Sequence, residues 1–164
     1  MTENAIEKMD KWEKTAEHSV GGFLWLGFSR QQTNKLICIS SEYTSVMDCD
    51  TGEIKECDAD YDEEKYIAVC DCFPTEVIDI YGQYGGYPVL ETPQGESISI
   101  QTQEELYAGK IVKRYKIQVS TPDSVVELYN NYGYYVCSFS VCGNYFVLAD
   151  DAGITVRKRK YKNS

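Results

Sequence analysis

Three groups of side chains in this sequence are of types that could do chemistry: seven cysteines, a dense run of carboxylates, and an excess of tyrosines. Four of the cysteines, Cys49, Cys57, Cys70 and Cys72, raise the question of zinc. They are separated by 7, 12 and 1 residues, which is not the paired spacing of about 2–4 residues that structural zinc knuckles use. Cys70 and Cys72 would share one face of a strand, as two core residues do. No metal ligand and no cofactor is therefore expected. The cysteine count is odd and no export signal precedes it, so reduced thiols are the expected state. Cys38 stands between Ile37 and Ile39, where a free cysteine behaves as a small hydrophobe.

Residues 48–64 hold nine carboxylates against Lys55 alone, most of the chain's net charge of −10. Asp58, Asp60 and Asp62 begin like a calcium loop. The pattern then fails, because Glu63 stands where the loop needs glycine and Val69 where it needs a bidentate glutamate. The segment reads instead as an acidic loop, either merely solvated or available for docking. His18 is the sole histidine, and no local pattern pairs it with a nucleophile. The glycines of 82–86 lack the spacing of a nucleotide-binding loop.

Tyrosine occurs 14 times, against 5 phenylalanines and 2 tryptophans. Tyr81, Tyr84 and Tyr87 flank a glycine-rich bend over Gly82–Pro88. Tyr129, Tyr132, Tyr134 and Tyr135 crowd a second stretch. Tyrosine offers contact area with a polar handle and is enriched where proteins meet. Core and cross-strand packing would use the same residues. The candidate partner-binding residues are Asp58, Asp60, Asp62, Glu63, Tyr84 and Tyr87.

The elements that must position these groups are strands. Residues 3–17 form the exception: Ile6, Met9, Trp12 and Ala16 recur at helical spacing and predict one short N-terminal helix, ended by Gly21-Gly22. Beyond it, short apolar runs are bounded by polar turns, as at 24–28, 36–40, 43–49, 66–73, 76–81, 110–120, 125–129, 134–140, 145–149 and 154–157. Asp50-Thr-Gly52 is a turn, and Pro74 is expected to stop a strand. Thr92-Pro-Gln-Gly95 has proline and glycine at the positions a type I turn favours, predicting a hairpin of 89–91 with 96–101. Residues 157–164 read as a basic tail. Many short strands at this spacing indicate a single all-β domain over 1–164, built of antiparallel meanders, propeller-like or sandwich.

One pattern occurs twice. Phe28-Ser29, a polar turn, Leu36–Ser40 and Ser45–Cys49 are echoed by Phe139-Ser140, a polar turn, Tyr145–Ala149 and Gly153–Arg157. This resembles the inner strands of a β-propeller blade, and Asp50-Thr-Gly-Glu53 is similar to the turn that closes many WD-repeat-type blades. The layout also resembles a family of uncharacterised bacterial proteins. The matching pieces are Val20-Gly-Gly22, Gly27-Phe-Ser29, Asp48–Glu53, Ile80–Pro88, Thr92–Gly95 and Phe139–Ala149. Tyr87 and the acidity of 48–64 depart from that pattern. The resemblance implies a fold and a cellular setting but no reaction.

The acidic balance argues against nucleic acid, whose phosphates demand cations, and against anionic membrane surfaces. No apolar run approaches the roughly 18 residues of a membrane helix. A cytoplasmic, non-enzymatic protein-binding domain with an acidic, tyrosine-rich surface is the expected function. Its partner would be a basic protein, and an immunity-type protein neutralising a basic toxin is a concrete version. A ligand-binding or enzymatic domain with a pocket at Gly82–Pro88 is one alternative. A structural, self-associating domain is the other, leaving homo-oligomers open.

Overall fold

Every residue of Phe23–Phe28 and of Tyr145–Ala149 is apolar. A strand of that composition is stable where both of its faces are covered. The computed structural model describes residues 12–160, and it places both runs in that position. Its strands are β1 (Trp12–His18), β2 (Phe23–Phe28), β3 (Lys35–Ser40), β4 (Thr44–Asp48), β5 (Ile54–Cys57), β6 (Ala59–Asp62) and β7 (Ile67–Cys70). There follow β8 (Phe73–Asp79), β9 (Ser97–Tyr107), β10 (Lys110–Ser120), β11 (Val125–Asn131), β12 (Tyr134–Phe139), β13 (Tyr145–Asp150) and β14 (Gly153–Arg159). The protein is all-β, with four antiparallel sheets ordered β2-β3-β4-β5, β6-β7-β8, β11-β10-β9 and β1-β14-β13-β12.

Alternation along the strands sends side chains into three cores. Leu36 and Cys38 of β3 meet Val147 and Ala149 of β13 in the central core. Ile37 and Ile39 point the other way, onto Ala68 and Ile78 of the β6–β8 sheet. Phe146 and Leu148 likewise face Ile117 and Val119 of the β9–β11 sheet. The sheets therefore stack in four layers, with the β2–β5 and β12–β14 sheets inside. The repeated sequence pattern falls on these two inner sheets. Its Phe-Ser corners match: Ser29 N–H donates to Lys35 O at 3.0 Å and Ser140 N–H to Tyr145 O at 2.8 Å.

Several expectations change. No helix occurs among the described residues, and none of these forms a helix long and apolar enough to cross a membrane. Residues 3–11 of the expected helix lie outside the described residues, and 12–17 are strand. The pairing register of β1 on β14 shifts between Lys14 and Ala16. This bulge flips the faces, so Trp12 enters the core shared with β9–β11 and Ala16 enters the central core. A spacing of four residues thus came from a bulged strand. Pro74 lies inside β8, an edge strand whose outer side needs no N–H donor. The 89–91 hairpin shrinks to one bridge, Glu91 with Ser97, and Ser97–Tyr107 pairs with β10 along its whole length. The expected tail is strand as far as Arg159, with 161–164 outside the described residues.

Asp50 ties the two inner sheets together at their edge. Its Oδ1 accepts Tyr145 Oη at 2.7 Å and Lys158 Nζ at 2.7 Å. These partners hold its carboxyl below the usual carboxylate range. A depressed folded value means that the stabilisation is full above the unfolded value of about 3.9 and fades as pH falls through the folded one. Asp50→Asn is expected to cost about 0.5–1 kcal/mol at neutral pH, a figure kept small by solvent screening of a pair more than one-third exposed. It should also flatten the fall of Tm below about pH 4, measured by calorimetry across a pH series.

Candidate functional site

The acidic segment 48–64 is not a loop. A turn closes at Gly52, β5 and β6 follow, and the chain crosses from the β2–β5 sheet to the β6–β8 sheet at Asp58. Asp60 pairs with Val69 on the outer face, and both are exposed. Asp62 Oδ1 accepts the backbone N–H groups of Glu64 at 2.9 Å and Lys65 at 3.1 Å. Those bonds hold the Asp62 carboxyl below its ordinary value. This carboxylate caps the β6–β7 turn, a role that sequence spacing did not reveal.

Three of the six candidate residues, Asp62, Glu63 and Tyr87, gather near Tyr66, which ends that turn with a φ of 56°. Glu63 Oε1 accepts Trp25 Nε1 at 3.4 Å. Tyr66 lies 5.8 Å from the Trp25 ring, and Tyr87 meets it edge-on at 5.9 Å. A Cβ on Gly85 would strike the Tyr66 ring at 2.4 Å, so the glycine permits the bend to close on that ring. Tyr84 and Tyr87 remain 76% and 84% exposed. Asp62 belongs to the same turn as Glu63, whereas Asp58 and Asp60 lie back along β6. At about 3.3 Å per residue, Asp58 stands roughly 13 Å from Asp62. The bend is closely packed: a Cβ on Gly82 would meet Leu24 O at 2.2 Å, and one on Gly86 would meet Ile80 O at 2.4 Å.

The cysteines sort differently from their order in sequence. Cys49 is fully buried in the central core, where burial pushes its thiol up to about 12. Cys38 and Cys137 are raised to about 12 and about 11 for the same reason. Cys57, Cys70 and Cys72, with Asp71, come together at the rim of the core between the β2–β5 and β6–β8 sheets. Their ligand atoms lie within 4.8 Å of one another. Cys57 Sγ and Cys70 Sγ are 3.1 Å apart, and Cys70 Sγ is 3.6 Å from Asp71 Oδ1. The short separation of Cys70 and Cys72 was visible in the sequence; the arrival of Cys57 through the β5–β6 crossing was not.

Two further groups escaped sequence reading. Glu96 and Arg159 form a bidentate ion pair, with side chains only 7% and 14% exposed. The other is the far end of the β9–β10 ribbon, which extends past the pairing of β10 with β11 and carries exposed Leu106, Tyr107 and Ile111. Its base is fixed by Arg114, which donates to Glu105 Oε1 at 2.9 Å and to Tyr132 Oη at 2.8 Å. His18 Nε2 faces Tyr43 Oη at 3.1 Å. A cleft of about 510 Å³ is lined by Lys35, Asp48, Glu53, Lys55, Cys72 and Phe73, among others.

Searches of family models, of curated proteins and of solved structures returned no match to this chain. Function must be read from its own geometry.

Proposed function

We propose that this chain is a non-enzymatic protein-binding domain that engages a basic partner through its acidic and tyrosine-rich surface. The observation that carries this reading is the seating of Glu63 on Trp25 and of Tyr87 on the neighbouring Tyr66 ring, with Asp62 in the same turn as Glu63 and exposed Tyr84 in the same bend as Tyr87. Two largely exposed tyrosines supply apolar area with polar ends, and the carboxylates beside them supply steering. A net charge of −10 strengthens attraction to a cationic protein at low salt. An inhibitor that neutralises a basic toxin is the concrete form, in a cytoplasmic setting consistent with reduced thiols. The finer architecture is read in the same way. Four meandering sheets, a repeat on the inner two, and β1 completing the β12–β14 sheet support a propeller-like description.

The test uses the described chain and a variant carrying Asp60→Asn, Glu63→Gln, Tyr84→Ala and Tyr87→Ala. Captured from the source cell at low ionic strength, a basic protein should be retained by the wild type, released as salt rises, and lost from the variant. Equal retention by the variant, or no basic protein even at low salt, overturns the reading.

A second reading rests on the ribbon tip. Leu106, Tyr107 and Ile111 are 79%, 69% and 72% exposed, an apolar group of the sort that marks an association surface. Self-association through it predicts a dimer in sizing chromatography that Leu106→Glu converts to monomer. A wild-type monomer at all concentrations eliminates this reading.

A further inference from the structure

We propose that Cys57, Cys70 and Cys72, with the Asp71 carboxylate, form a site for a divalent cation of the zinc class that clamps the β2–β5 sheet to the β6–β8 sheet.

The distances suit the ion. With zinc–sulfur bonds of about 2.3 Å in a tetrahedron, ligand atoms stand roughly 3.5–3.8 Å from each other. The observed 3.6 Å from Cys70 to Asp71 falls in that range, 3.1 Å between Cys57 and Cys70 lies just below it, and the whole set spans no more than 4.8 Å. Side-chain rotations that move the ligand atoms by about 1 Å would complete the polyhedron.

The supporting framework is already in place. Cys57 ends β5, Cys70 ends β7, and Asp71-Cys72 is the two-residue turn into β8, where Cys70 pairs with Phe73. Asp71 N–H donates to Asp58 O at 3.2 Å, fixing the turn against the crossing between the sheets. Cys72 N–H donates to Cys70 Sγ at 3.4 Å, which orients the sulfur within the turn. The ligands thus come from two sheets joined locally by the single residue Asp58. Structural zinc sites built on one loop show paired short spacings, and this site does not need them because the fold brings the third cysteine.

Three thiols and a carboxylate gathered within 4.8 Å suit a cation, which offsets the repulsion that their deprotonation would otherwise create. A thiolate-dominated set selects zinc-class ions over calcium or magnesium, which prefer oxygen. Binding is a proton-for-metal exchange: the three thiols lose their protons to solvent, the ion takes their lone pairs and one from Asp71, and no redox change occurs.

The probe is cobalt(II), added to the fully reduced chain, with zinc as competitor. The expected result is one cobalt per chain with sulfur-to-cobalt charge-transfer and tetrahedral ligand-field bands, both abolished by zinc. Cys57→Ser and Cys72→Ser should each weaken binding by at least about 100-fold, the upper end of what even outer-shell changes cost, whereas Cys142→Ser should not. Zinc should shield Cys57, Cys70 and Cys72 together from alkylation. Where a cysteine variant fails to fold, Asp71→Asn replaces it and should weaken cobalt binding with circular dichroism unchanged. Absence of charge-transfer bands in the folded, reduced wild type overturns the proposal, as does unaltered binding in the variants or protection of other cysteines instead.

Discussion

Arg159→Met is expected to destabilise the protein by about 3–5 kcal/mol, because it leaves a carboxylate buried without its counter-ion. Arg159 Nη1 donates to Glu96 Oε2 at 2.9 Å, and Nη2 donates to Glu96 Oε1 and to Gly143 O, the latter at 2.8 Å. The guanidinium lies 4.6 Å above the Trp12 ring. Glu96 Oε1 also accepts Thr92 Oγ1 at 2.9 Å. One side chain therefore holds β14, the β12–β13 turn, β1 and the turn before β9. Glu96→Gln should cost less than Arg159→Met, since a neutral amide buries more readily than an orphaned carboxylate. Replacing both residues, as Glu96→Met with Arg159→Met, should recover much of the loss. Urea unfolding of these variants beside the wild type measures each cost, and adding the single Glu96→Met closes a double-mutant cycle with Arg159→Met. A single Arg159→Met cost below about 1 kcal/mol would place the pair among weak surface bridges.

Phe139→Ala should cost a similar amount, about 3–5 kcal/mol, by opening a cavity where nothing can collapse to fill it. Phe139 is fully buried, stacks on Trp12 at 5.6 Å and meets Phe146 edge-on at 5.9 Å. Its backbone N–H is tied to Val89 O at 2.9 Å, which fixes the position of β12. The expected fall in Tm is on the order of 10 °C for a chain of this size. Tyr87→Ala, at a ring 84% exposed, should stay within about 0.5 kcal/mol of wild type. Calorimetry on both variants separates scaffold from surface. If Phe139→Ala falls by less than about 1 kcal/mol, its core is loosely packed and the layered description fails.

Much of the strand pattern was legible, because doubly covered strands leave continuous apolar runs and polar, Gly-containing turns mark many of their ends. Lys110–Ser120 was placed to the residue, and the repeat on Phe28–Cys49 and Phe139–Arg157 marked the two inner sheets. Where long-range pairing overrode local signals, reading failed. Trp12 and Ala16 mimicked a helix because a bulge in β1, where it pairs with β14, shifted one against the other. Ser97–Tyr107 chose β10 over the nearer Val89–Glu91, since the longer ladder satisfies more backbone groups. Glu53–Glu64 looked like a loop because its strands lie at the sheet edges, where carboxylates can face water. The cysteine cluster and the Glu96–Arg159 pair unite residues distant in sequence, and no local spacing encodes either. The tyrosines near Gly82–Pro88 stood out in the sequence, but the edge-on packing of Tyr87 on Tyr66 depends on the turn that Asp62 caps.

The pairing of β1 with β14 bears on the order in which the molecule can assemble. Trp12 and its register partner Arg159 stand at opposite ends of the described residues. During synthesis the first of these strands emerges well before its neighbour exists. Its edge and the Trp12 ring stay unsatisfied until β14 is released, and the central core, which includes Ile154 and Val156, cannot close before then. Contacts of such long sequence separation slow folding and favour a late, concerted step. Translational pausing near Gly153 would therefore prolong the lifetime of an aggregation-prone nascent chain, while loss of β14 would also strip β1 of its strand pairing.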